Sequence, residues 1–165
     1  MLVLGIDPGI ANTGWGVVDF VGQKFRPVCY GVINTDPDDT LGHRIAVIAE
    51  SVAQIAQKYE VGHISMEDIF FAKNEVSAIG VAKVIGAITY ASYKIGLEVS
   101  MFTPMQIKMA ITGFGKAEKK QVQEMCRILL KLEKIPRPDH AADALAAAVC
   151  FCNTSATTGR LGFIK

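Results

Sequence analysis

Residues 2 to 20 read LVLGIDPGIANTGWGVVDF. Two apolar runs lie in this stretch: the first, Leu2–Asp7, is stopped by Pro8-Gly9, and the second, 14–20, is Val-rich and is stopped by Gly22. They read as the first two strands of the fold. Lys24–Asn34 alternates loosely, carries Val28, Tyr30, Val32 and Ile33, and completes an antiparallel three-strand meander before a Thr-Asp-Pro-Asp-Asp turn at 35–39. Thr40 can then cap a helix running to about residue 59, with Leu41, Ile45, Ile48, Val52, Ile55 and Ala56 at helical spacing. A fourth strand spans 63–68, with Ile64 and Met66 on one face and Ser65 and Glu67 on the other. A long helix over 74–95 and a fifth strand over 98–102 follow. Pro104 starts a short helix that Gly113 and Gly115 break, 116–131 is an amphipathic helix with Val122, Met125, Leu129 and Leu132 as its stripe, and a last helix runs from near Asp139 to about Asn153.

This order predicts an α/β fold: a mixed five-stranded sheet, three antiparallel strands then two parallel ones, with helices on both faces. A single domain over 1–153 accounts for it, and the polar tail 154–165 is expected to be partly mobile. The chain has 165 residues, half of them apolar, which suits one ordinary buried core and excludes a disordered chain. Its cysteines, Cys29, Cys126, Cys150 and Cys152, form no C-x-x-C and stand at no zinc-finger spacing, so they read as reduced structural thiols. The amino terminus has no basic n-region, and no apolar run reaches the roughly 18 residues of a membrane span. A reducing, cytoplasmic location is therefore expected.

The total of 17 Lys and Arg against 16 Asp and Glu gives no hint of a polyanionic partner. The distribution does. Residues 1–100 hold 7 basic and 11 acidic side chains, net −4, whereas 101–140 hold 8 basic and 4 acidic, net +4. Lys108, Lys116, Lys119 and Lys120 lie in or beside the two helices of that basic segment and their glycine-rich joint, where they can contact backbone phosphates. Lys131 and Lys134 read equally as an ordinary solvated face.

Asp7 ends the first strand and Glu67 lies near the end of the fourth. If those strands are neighbours, both carboxylates emerge at one edge of the sheet. Asp143 follows Asp139 and His140 by one helical turn. Carboxylates from two strand ends and a late helix suit a hard divalent cation, and two such ions roughly 4 Å apart can drive an in-line phosphoryl displacement. Singly, each feature has a plainer account: a common D-P-G turn, a solvated strand end, and an Asp139 that caps its helix. Gly9, Gly14 and Gly16 leave little bulk around Asp7, which suits close approach of a phosphodiester backbone; turn chemistry explains Gly9 equally well.

Four motifs taken together carry a resemblance: G-I-D-P-G-x-x-x-T-G-x-G-V-V at 5–18, E-D-I-F-F-A-K-N at 67–74, A-E-K-K-Q-V at 117–122 and D-H-A-A-D-A-L-A at 139–146. In order and spacing they resemble the RuvC family of Holliday-junction resolvases over nearly the whole chain. The resemblance implies a ribonuclease H-like fold, a homodimer, and Mg²⁺-dependent nicking of two symmetric strands of four-way junction DNA, leaving 5′-phosphate and 3′-hydroxyl ends. Two ions per site are implied, with Mn²⁺ a substitute for Mg²⁺, and RuvA and RuvB are implied partners. The acidic site falls on Asp7, Glu67, His140 and Asp143, as catalytic residues and metal ligands. Phosphate-contacting lysines fall on Lys108 and Lys119, and Phe70 matches the aromatic that stacks at the junction centre.

His140 stands where many members carry Asp, which leaves ligand, acid/base group, or both open. An imidazole suits Mn²⁺ better than Mg²⁺ and ordinarily titrates at about pH 6.5, so it can take a proton from water. Phe71 reads as core. The helix 74–95 is apolar over much of its circumference, and a second face meeting another subunit would explain it. The D-P-G hairpin also occurs in actin-like and sugar-kinase ATPases, which need two such lobes. The alternatives that remain are a related nuclease acting on RNA and a junction-binding protein without catalysis; the intact Asp7, Glu67 and Asp143 speak against the latter.

Overall fold

Alternation along the first strand, β1 (Leu2–Asp7), divides the core between the two faces of the sheet. In the computed structural model, residues 1–69 and 75–160 are described, the side chains of 75–77 and 156–160 excepted. Leu4 and Ile6 are buried on one side with Ile48 and Val52 of α1 (Leu41–Lys58) and with Val84 and Ile88 of α2 (Glu75–Lys94). Val3 is buried on the other side with Leu145 and Ala148 of the last helix, α5 (Asp139–Arg160). That side also holds α3 (Pro104–Thr112) and α4 (Lys119–Leu129), through Ile107, Ile111, Val122 and Cys126.

The remaining strands are β2 (Asn12–Val21), β3 (Lys24–Asn34), β4 (His63–Glu67) and β5 (Val99–Phe102). They form one five-stranded sheet in the order β3-β2-β1-β4-β5. β1–β2 and β2–β3 are antiparallel, and β1–β4 and β4–β5 are parallel. This is the mixed sheet the sequence predicts, with helices on both faces.

The glycines of the first hairpin require a correction. A Cβ at Gly5 would collide with the carbonyl of Ala144, one at Gly14 with that of His140, and one at Gly16 would stand 2.6 Å from Leu145 Cδ2. The close approach at Gly14 and Gly16 is therefore made by α5, not by a nucleic-acid backbone. The helix matches the bare strip with small residues of its own: Ala141, Ala142, Ala144, Ala147 and Ala148 are all buried. Ser65 Oγ of β4 donates to the Ala147 carbonyl at 2.6 Å and ties the same helix to the parallel half of the sheet.

Two helix boundaries also differ from the periodicity. Residues 116–118 precede α4 rather than open it: Ala117 is buried in a turn closed by its N–H on the Phe114 carbonyl, 3.0 Å, and Glu118 and Gln121 then form a capping box. α5 continues to Arg160 instead of stopping near Asn153. The polar residues that mark an end in the sequence are bonded back into the helix: Thr154 Oγ1 donates to the Cys150 carbonyl at 2.9 Å and Ser155 Oγ to that of Cys152 at 3.1 Å.

Candidate active site

The parallel register pairs Ile6 with Met66, so Asp7 and Glu67 are the next residues at the same end of adjacent strands. Gly5 and Ser65 both face α5, and side chains two residues apart share a face, which turns Asp7 and Glu67 toward the first turn of that helix. The turn after Asp7 is closed by Thr13, whose buried hydroxyl donates to the Gly9 carbonyl at 2.6 Å. α5 supplies His140 and Asp143. Its position over the glycine strip fixes how far those side chains stand from the strand ends.

His140 Nδ1 lies 2.7 Å from Asp7 Oδ2. An ionised carboxylate only accepts, so with Asp7 ionised the proton of a neutral imidazole sits on Nδ1 and Nε2 keeps its lone pair. Burial raises the Asp7 carboxyl above its ordinary pKa; the His140 hydrogen bond opposes the rise and the Asp143 charge adds to it. Glu67 is pushed up to about 7 by burial first, and then by the charges of Asp7 and Asp143. Burial lowers the Lys119 ammonium, but its hydrogen bond to Asp143 and the charges of Asp143, Asp139 and Asp7 outweigh that and raise it. Lys119 Nζ is 2.8 Å from Asp143 Oδ2 and 3.7 Å from Asp139 Oδ2, and Asp139 also pairs with Arg137.

Glu67, Asp143, Lys108 and Lys119 line one cavity of about 230 Å³, walled by Pro104 and Ile107. The sequence-predicted residues are thus partly gathered. Asp7, Glu67, His140, Asp143, Lys108 and Lys119 converge here. Lys116 is exposed on the turn before α4, and Lys120 lines a separate groove with Phe114, Gln121 and Glu124. Phe70 and Phe71 lie outside the described residues. Asp139 does not act as a cap: it is the first residue of α5, and its carboxylate is taken by Arg137 and Lys119. Sequence reading missed that Lys119 is the partner of Asp143. The spacing between 119 and 143 carries no periodic signal, because the two residues meet only through the packing of α4 on α5.

The donor set suits a hard divalent cation. Burial first, and then the charges of Asp7 and Asp143, disfavour ionised Glu67, and a cation among the three carboxylates would offset that charge. As they stand, among the described residues, no three His, Cys, Asp or Glu side chains form a ready-made ligand group. His140 holds one carboxylate and Lys119 another.

The model of one protein family, crossover junction endodeoxyribonuclease RuvC, matches residues 3–151. A crossover junction endodeoxyribonuclease RuvC from Caldanaerobacter subterraneus subsp. tengcongensis is 41% identical over 163 residues, covering 99% of both chains. The structure of Thermus thermophilus RuvC is similar at a TM-score of 0.87 and 35% identity, over 98% of this chain and 97% of that one. The same protein in complex with a Holliday junction substrate matches at 0.85 and 33% identity, over the same shares of each chain. The chain belongs to the RuvC family of crossover junction endodeoxyribonucleases.

Proposed function

We propose that this chain resolves Holliday junctions in recombination and repair by hydrolysing two symmetric phosphodiester bonds, with Asp7, Glu67, His140 and Asp143 as its catalytic group. The observation that carries the reading is the meeting of Asp7 and Glu67, from adjacent parallel strand ends, with His140 and Asp143 of α5 beside a cavity edged by Lys108 and Lys119. Asp7, Glu67 and Asp143 are the residues that would hold one or two divalent ions, Mg²⁺ or Mn²⁺. What such ions supply when bound is activation of water and neutralisation of the leaving oxygen.

The residues' own work follows from their geometry. Asp7 fixes the imidazole of His140 through Nδ1, which leaves Nε2 to take the proton of the attacking water. The water oxygen bonds to phosphorus as the bond to the 3′ oxygen breaks, leaving a 5′-phosphate, and the 3′ oxygen takes up a proton. Lys108 and Lys119 contact backbone phosphates beside the carboxylates; such contacts set position, not sequence. Phe70, by the family resemblance, stacks on a base at the junction centre.

The second catalytic site belongs to a second copy. Ile79, Tyr90 and Tyr93 are 55%, 67% and 81% exposed along α2, and Ala82 and Gly86 between them are exposed as well. An apolar stripe with small residues at its centre suits close packing of two helices, and two-fold symmetry suits a substrate with paired scissile strands. Cytoplasmic residence accords with the four free thiols, and among the described residues no helix is long and apolar enough to cross a membrane. RuvA and RuvB are the further partners the resemblance implies.

A gel assay of labelled four-way junction, linear duplex and RNA–DNA hybrid, with Mg²⁺ or Mn²⁺, tests the reading. Paired nicks confined to the junction are expected; preferential cutting of the hybrid would favour the RNA nuclease instead.

A further inference from the structure

The contact that the catalytic reading leaves unexplained is the one between Lys119 and Asp143. An ammonium 2.8 Å from Asp143 Oδ2 takes one acceptor site of that carboxylate and offsets its charge, and the same ammonium reaches Asp139 at 3.7 Å. Lys119 is the first residue of α4, so its backbone is fixed, but its side chain is 53% exposed while that of Asp143 is 23% exposed. The ammonium therefore has room to turn outward, and the carboxylate is the more enclosed of the two. Lys108 lines the same cavity and carries the same charge, but no ion pair joins it to any of the carboxylates among the described residues.

From this we infer that Lys119 is a displaceable internal cation: it neutralises Asp143 in the free protein and competes with the divalent ion for that carboxylate. The inference rests on the reading of Asp143 as a metal ligand. It gives Lys119 two alternative acceptors, the Asp143 carboxylate and a backbone phosphate, and gives Asp143 two alternative cations. A phosphate that draws Lys119 away frees Asp143, so junction and metal favour one another's binding, and by linkage each raises the other's affinity by the same factor. In the free protein Asp143 is paired with the Lys119 ammonium. Lys119 is thus a positioning residue that ties readiness of the metal site to the presence of substrate.

Metal affinity of the full-length chain without DNA tests this, followed by the electron paramagnetic resonance signal of free Mn²⁺. Wild type is compared with Lys119→Gln, Lys108→Gln and Asp143→Asn, each first confirmed folded by circular dichroism. The inference expects Lys119→Gln to bind Mn²⁺ about fivefold tighter or more, at the lower end of ordinary coupling between sites. Lys108→Gln removes the same charge from the same cavity without breaking an ion pair, and since that charge acts on Glu67 only through space, its gain should be clearly smaller than that of Lys119→Gln. Equal gains in the two lysine variants would mean a general field effect and overturn the inference, as would an unchanged affinity in Lys119→Gln. Weaker binding in Asp143→Asn with no gain in Lys119→Gln would overturn the inference alone. Unchanged binding in Asp143→Asn would overturn the ligand reading beneath it as well.

Discussion

Glu67 is the residue on which burial and charge act most strongly together at the site. Its carboxyl is pushed up to about 7, against an ordinary value of 4.5, by burial and by the neighbouring Asp7 and Asp143. A carboxyl raised on folding stabilises the protein fully below the unfolded value, and that contribution is lost as pH rises through the folded one. The metal-free protein should therefore lose stability between about pH 4.5 and 7, by at most about 3 kcal/mol, since each tenfold change in proton affinity on folding is worth about 1.4 kcal/mol. Glu67→Gln should then melt higher than wild type at pH 8 without metal while losing nicking activity. A lower melting temperature at that pH would mean that the Glu67 carboxylate stabilises the fold. Metal affinity has the opposite pH dependence, weakening as pH falls through about 7, because a ligand must give up its proton.

At the scale of elements, α5 is what makes an active site of two strand ends. It rests on Gly5, Gly14 and Gly16, and its first two turns carry His140 and Asp143. Gly14→Ala would push the His140 carbonyl outward. Overpacking of this kind costs about 1–3 kcal/mol and occasionally more, and urea denaturation should register it. Gly42→Ala, at a position in α1 where nothing lies within 4 Å of the new Cβ, is the control and should melt at or slightly above wild type, since Ala is favoured over Gly in a helix by up to about 1 kcal/mol. The order and type of the elements were legible in the sequence because hydrophobic periodicity and Pro-Gly punctuation are local signals. Asp7, Glu67 and the Asp139 to Asp143 turn were legible as carriers of charge at element ends, but the resemblance was needed to bring them together. The purpose of Gly14 and Gly16 was not legible, since a bare strand gives no sign of whether a helix or a ligand fills the space. The ion pair of Lys119 with Asp143 was equally hidden, because it depends on how two helices pack far apart in sequence.

For the whole molecule, near-neutral net charge conceals a division of labour. Three carboxylates, Asp7, Glu67 and Asp143, act on one another at the strand ends and α5, and Lys108 of α3 and Lys119 of α4, from the basic segment, line the cavity beside them. Among the described residues one domain holds one such carboxylate group, and the proposed dimer supplies the second for two coordinated nicks. Tyr90→Glu, placed in the exposed stripe of α2, should shift the chain from dimer to monomer in light scattering and turn paired cleavage into single, uncoupled nicks. A dimer that survives this change would put the interface elsewhere. The central claim, that Asp7 belongs to the chemistry and not to the grip on DNA, is tested most directly by measuring nicking and binding of one synthetic four-way junction side by side for wild type and Asp7→Asn. The account predicts that nicking in Mg²⁺ is abolished while junction affinity stays nearly unchanged; retained nicking by Asp7→Asn would contradict it.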